Sequence, residues 1–93
     1  MHTILAEVRV QDLDRFLGVF STDGLERRAA HGSLGAEVMS AEDDRVLVLI
    51  DWPNRAAFEA FSADPLVAPT MARGGAKGRP AFTAVTRRAR LRA

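Results

Sequence analysis

Residues 45–61, RVLVLIDWPNRAAFEAF, change period in mid-run. Val46 to Ile50 is apolar on both faces, as a central strand covered on two sides would be. After Asp51-Trp52-Pro53-Asn54 the large apolar residues fall at Phe58 and Phe61, a helical spacing. Such a switch predicts a strand, a sharp corner and a helix that folds back over the strand. The only tryptophan sits at that corner.

The N-terminal third makes the same change. In residues 2–10, HTILAEVRV, one face carries His2, Ile4, Ala6, Val8 and Val10, the other Thr3, Leu5, Glu7 and Arg9. That alternation predicts a strand. Leu13, Phe16, Leu17 and Phe20 then occupy i, i+3, i+4 and i+7, one apolar stripe of a helix. The helix is expected to start near Asp12, with Asp12 or Gln11 as cap, and to continue through Gly24 to Ala30. Gly32 suits its C-terminus, and Arg28 and His31 are cations placed where that terminus favours them. Residues 33–41 read as a second strand, with Leu34, Ala36 and Val38 on its apolar face, and the acidic 42–44 as a hairpin turn into Arg45–Trp52. Asn54 is a good N-cap for a helix to about Ala63, which Pro65 ends. LVAPTMAR reads as a short helical turn broken at Pro69, AKGRP as a loop, and AFTAVTRRARL as a fourth strand. The order β-α-β-β-α-β predicts an α+β, ferredoxin-like fold: a four-stranded antiparallel sheet with helices on one face.

Leu5, Met39, Leu47, Leu49 and Val85 would then face outward from the bare side of the sheet. An apolar patch of that kind marks an association surface, and two sheets packed face to face would cover it. A homodimer is expected. Ninety-three residues, 47% hydrophobic and 27% charged, suit one globular domain, residues 1–93. The absence of cysteine excludes disulfides and thiolate chemistry. No run approaches the roughly 20 apolar residues that span a bilayer. Met1-His2-Thr3-Ile4 leads into alternation, unlike a signal peptide, so no membrane partner and a cytoplasmic location are expected.

The net charge of +1 hides an uneven chain: 12 acidic and 6 basic residues up to Asp64, then 7 basic and no acidic residues. Arg87, Arg88, Arg90 and Arg92 lack interleaved aromatics for base stacking. The tail is therefore read as lying against acidic parts of its own domain or of a second copy, not as a nucleic-acid site.

HTILAEVRVQDLDRF, VLVLIDWPNRAAFEAF and DPLVAPTMARGGAKGRPAF together resemble the dimeric α+β barrel proteins, most closely the antibiotic-biosynthesis-monooxygenase-like and cyclase-like branch. The resemblance covers nearly the whole chain. It implies a small-molecule pocket between sheet and helices, for an aromatic or polyketide-like substrate, with no cofactor. Trp52 shares the helix-facing side with Val46, Val48 and Ile50; it would either stack on a planar substrate or plug the end of the core. Phe20, Phe58, Phe61 and Met71 are the other expected substrate contacts.

For chemistry, His31 and His2 are the candidate proton shuttles, since imidazole titrates near neutral pH. Arg79 is the candidate partner for negative charge. No His, Asp or Glu spacing suggests a metal site, and GGAKGR, residues 74–79, lacks the P-loop pattern. Asp51 is expected to cap the following helix or to pair with an arginine across a dimer. Glu37 needs a partner such as Arg9, Arg45 or Arg87, and Asp23 is expected to pair with Arg27. Cofactor-free oxygenases of this fold surround their substrates with Asn, Trp, Tyr and Arg; this chain has no tyrosine. Acid/base cyclisation or isomerisation asks less of a site and is the preferred expectation. A cofactor-free monooxygenase and a non-catalytic small-molecule-binding dimer are the alternatives.

Overall fold

The computed structural model describes residues 1–93. Its elements run β1 (His2–Val10), α1 (Leu13–Phe20), α2 (Asp23–Ala30), β2 (Gly35–Ser40), β3 (Arg45–Trp52), α3 (Arg55–Ser62), α4 (Val67–Arg73) and β4 (Ala76–Val85). The strands form one antiparallel sheet in the order β2-β3-β1-β4. This is the α+β, ferredoxin-like arrangement. β1 and β3 are central, with His2 opposite Trp52 and Val8 opposite Val46. Their helix-facing residues build the core: Ile4, Ala6, Val8, Val10, Val46, Val48, Ile50 and Trp52 are all buried, joined by Phe16 and Phe61.

Local chemistry sets the boundaries. Asp12 Oδ1 accepts from the Arg15 N–H at 3.1 Å, and Asn54 Oδ1 accepts from Ala57 at 2.9 Å, so each side chain starts its helix. The hairpin turns through Asp43 and Asp44, both with φ near +60° (61° and 59°), a conformation aspartate tolerates.

Four expectations are corrected. The single helix from Asp12 to Ala30 is two helices. In a continuous helix the Phe20 carbonyl would accept from Gly24, but it accepts from Arg28 Nη2 at 3.0 Å instead. The Thr22 hydroxyl meanwhile donates to the Gly18 carbonyl at 2.7 Å, and the chain bends at Ser21-Thr22. The second strand is shorter than 33–41, and Leu34 is exposed. Pro69 does not break α4: it is the third helical residue, where a backbone N–H has no partner within the helix. The expected loop 76–80 is the first half of β4, because the edge of β1 pairs there, Arg9 with Lys77 and Val10 with Ala76. A register shift opposite Glu7–Arg9, with Gly78 at φ 74°, absorbs the irregularity. The strand ends at Val85, which lies opposite Thr3, because β1 offers almost nothing further to pair with.

Candidate functional site

Between sheet and helices lies an apolar cavity that opens to solvent at its mouth. Ala6, Val8, Val48 and Ile50 form its floor, and Phe82 and Pro80 of β4 one side. Phe16, Val19 and Phe20 of α1, Phe61 of α3, and Val67, Thr70 and Met71 of α4 close the roof. Four aromatic rings therefore face a mostly aliphatic space, a lining suited to a flat apolar molecule.

The polar part of the wall comes from α2. Gly24, Arg27, Arg28 and His31 recur at i, i+3, i+4 and i+7, and these are the residues of the 23–31 stretch not fully exposed. The inward stripe of α2 is thus basic rather than apolar. Arg28 is only 5% exposed. Its guanidinium carbon sits 3.7 Å from the centre of the Phe20 ring, and Nη2 donates to the Phe20 carbonyl. No carboxylate pairs with it, and burial lowers its pKa to about 10, so it stays charged at neutral pH. Its remaining N–H groups have no protein acceptor. Arg27 also lines the cavity but points one nitrogen at Asp64 Oδ2, 3.6 Å away.

Of the residues singled out in the sequence, Phe20, Phe61 and Met71 line this cavity. Trp52 does not. It is fully buried behind Phe61, at 4.9 Å between ring centres, and Phe58, at 6.0 Å, and its indole N–H has no acceptor. Phe58 packs on Trp52, His2 and Phe82, outside the lining. His2 lies against Phe58 at the end of β1. His31 holds Asp64, with Nε2 to Oδ2 at 2.9 Å, and meets the cavity wall through its edge-on contact with Phe61. That hydrogen bond, then one from the Leu66 N–H, keeps the Asp64 carboxyl below its ordinary range. Arg79 is exposed on β4 and lies outside the lining. Arg28, Gly24, Phe16, Thr70 and Phe82 are among the cavity residues that sequence reasoning did not single out as site residues. The signal for Arg28 was the basic stripe: α2 has one large apolar residue, Leu25, and it faces out at 54% exposure.

On the open side of the sheet Asp51 pairs with Arg87 of its own chain, Nη1 to Oδ1 at 2.9 Å, and accepts from the Thr3 hydroxyl at 2.6 Å. Arg87 also approaches Glu37, at 3.7 Å. Asp51 therefore does not cap the following helix; Asn54 does, and the arginine beside Asp51 belongs to its own chain. The expected Asp23–Arg27 pair is absent too: Asp23 pairs with Arg73 at 3.2 Å, while Arg27 turns to Asp64. No three His, Cys, Asp or Glu side chains gather as a metal set, and no helix is long and apolar enough to cross a membrane.

Solved structures share the whole architecture. The cofactor-independent oxygenase SnoaB from Streptomyces nogalater superposes with a TM-score of 0.73 at 18% identity, over 97% of this chain and 95% of that one. An antibiotic biosynthesis monooxygenase superposes with a TM-score of 0.68 at 13% identity, over 96% and 100%. The chain has the antibiotic-biosynthesis-monooxygenase fold. An uncharacterized NIPSNAP domain protein from Burkholderia xenovorans shares it too, with a TM-score of 0.63 at 16% identity over the full length of both chains. No family model matches the sequence, and no curated protein does. At these identities the likeness establishes architecture, and function has to be argued from the cavity.

Proposed function

We propose that the cavity binds a planar, largely apolar molecule as its enolate or phenolate, and that the protein is a cofactor-independent oxygenase of aromatic or polyketide-like substrates. One observation carries this reading: a buried, charged Arg28 faces an apolar cavity without a carboxylate partner. A guanidinium in that setting lowers the free energy of an oxyanion far more than it would in water. The cavity wall holds no His, Asp, Glu, Lys or Tyr. An acid/base cyclisation or isomerisation lacks a positioned proton shuttle there, whereas an acidic enol can ionise to solvent at the mouth as Arg28 takes its oxygen. Phe16, Phe20, Phe61 and Phe82 then hold the rings, and the aliphatic floor keeps water from the reacting carbon. The electron-rich carbon reacts with dioxygen: a C–O bond forms, the peroxide takes up a proton, and loss of water leaves a carbonyl. In balance, a CH₂ group and O₂ become C=O and H₂O. The open sheet face, with Leu5, Leu47 and Leu49, is proposed to pair with a second copy of the chain.

A dihydroxyanthrone in an oxygen electrode tests this. The expected result is oxygen uptake above buffer, with Arg28→Gln lowering kcat/KM by about 10²-fold. Tight binding without uptake would instead support a non-catalytic binder. Neither binding nor uptake by the folded protein would overturn both.

A further inference from the structure

Gly24 is the second residue of α2, and nothing in its own backbone calls for glycine: its φ is not positive. Glycine is the weakest helix former after proline, so its place in an eight-residue helix needs another cause. The surroundings supply one. A Cβ built on Gly24 would lie 3.2 Å from Arg28 Nη1 and 3.2 Å from the Val19 carbonyl oxygen. Helical side chains lean toward the N-terminus over the residue four positions back. For Arg28 that residue is Gly24. The arginine crosses the bare Cα and reaches the ring and carbonyl of Phe20 at the end of α1.

We infer that Gly24 is a positioning residue: its missing side chain sets the Arg28 guanidinium at the depth and angle from which it meets the anionic oxygen of a bound ligand. The inference rests on the reading of Arg28 as the anion anchor. Gly18 is the internal control, because it too is helical but a Cβ there meets nothing within 4 Å.

The test uses a matched pair of flat probes, a naphthoate and the corresponding neutral naphthamide, with affinities measured by calorimetry. The wild type is expected to prefer the anion, and Gly24→Ala to reduce that preference about tenfold, equivalent to about 1.4 kcal/mol. Gly18→Ala should leave the preference unchanged. In an Arg28→Lys background, where no Nη1 needs the space, Gly24→Ala should change the preference little. If Arg28→Gln abolishes the preference while Gly24→Ala keeps it, the role of Gly24 is overturned and the anchor stands. If Arg28→Gln keeps the preference, both are overturned. Should Gly24→Ala fail to fold, folding of Gly24→Ala/Arg28→Lys would support the inference. Failure of both would assign the glycine to the Val19 carbonyl and overturn it.

Discussion

On the helix-covered side of the sheet the buried charge, Arg28, has no carboxylate; on the open side Arg87, its side chain 48% exposed, lies against two. Both are arginines, and both reach over a distance in sequence, to Phe20 and to Asp51 and Glu37. The second is a solvated contact that docks the tail beyond β4, the sort of exposed pairing that contributes little. The first is an unneutralised cation in an apolar wall, costly to fold and therefore informative about function. The residues of β1 and β3 draw the same line: alternate side chains pass from an aliphatic core to a face of leucines that includes Glu7 and is bordered by Thr3, Arg9, Arg45 and Asp51.

Adjacent residues of β3 give the largest effect by which that contrast can be broken. Val46 is 1% exposed on the core side, away from the cavity, and Leu47 is on the open face. Val46→Asp buries an unpaired carboxylate and is expected to cost about 3–5 kcal/mol in urea unfolding, enough to unfold a small domain. Leu47→Asp is expected to stay folded while sedimentation equilibrium shows a dimer becoming a monomer. Equal destabilisation by the two would erase the difference between the faces.

Arg28→Met sharpens it. Exchange of an unpaired buried cation for an apolar side chain is expected to be neutral or to stabilise by about 1–4 kcal/mol in thermal or urea unfolding, although anion binding is lost. Arg87→Ala is expected to lower stability only slightly and to leave binding intact. A clear loss of stability in Arg28→Met would make that arginine a structural strut.

The smallest effect is in acid. Asp51 is held below its ordinary 3.8, first by the hydrogen bond from Arg87 and then by that from Thr3; Asp64 is lowered chiefly by His31. Both carboxylates are ionised above that range, so their stabilisation is complete there. As pH falls through about 4 the unfolded chain takes up protons first, and stability declines until the folded carboxyls also protonate. Melting temperatures between pH 6 and about 2.5 should show this decline, shallower in Asp51→Asn and Asp64→Asn. An unchanged slope would mean that neither contact persists in solution.

The parts of the fold legible in the sequence were those that depend on neighbours along the chain. Alternation placed β1, an unbroken apolar run placed β3, and Asp12 and Asn54 marked helix starts by their own side-chain chemistry. What escaped depends on contacts across the fold. The break after Phe20 is made by a guanidinium eight residues away, and the early start of β4 by the free edge of β1, which overrides Gly78 and Pro80. Phe20 and Phe61 could be placed inward from the helical spacing of apolar residues, and Met71 from the resemblance, although Leu13 and Leu17 of the same stripe as Phe20 are exposed. Arg28 could not, since a cation near a helix end ordinarily reads as a partner for the helix dipole.

The bend after α1 has one more consequence. The guanidinium that faces the chamber also clasps the main chain at Phe20, so a guest that draws it inward tugs on the turn as well. Occupancy should therefore be audible at a distance, as altered deuterium uptake by the amides from Ser21 to Gly24.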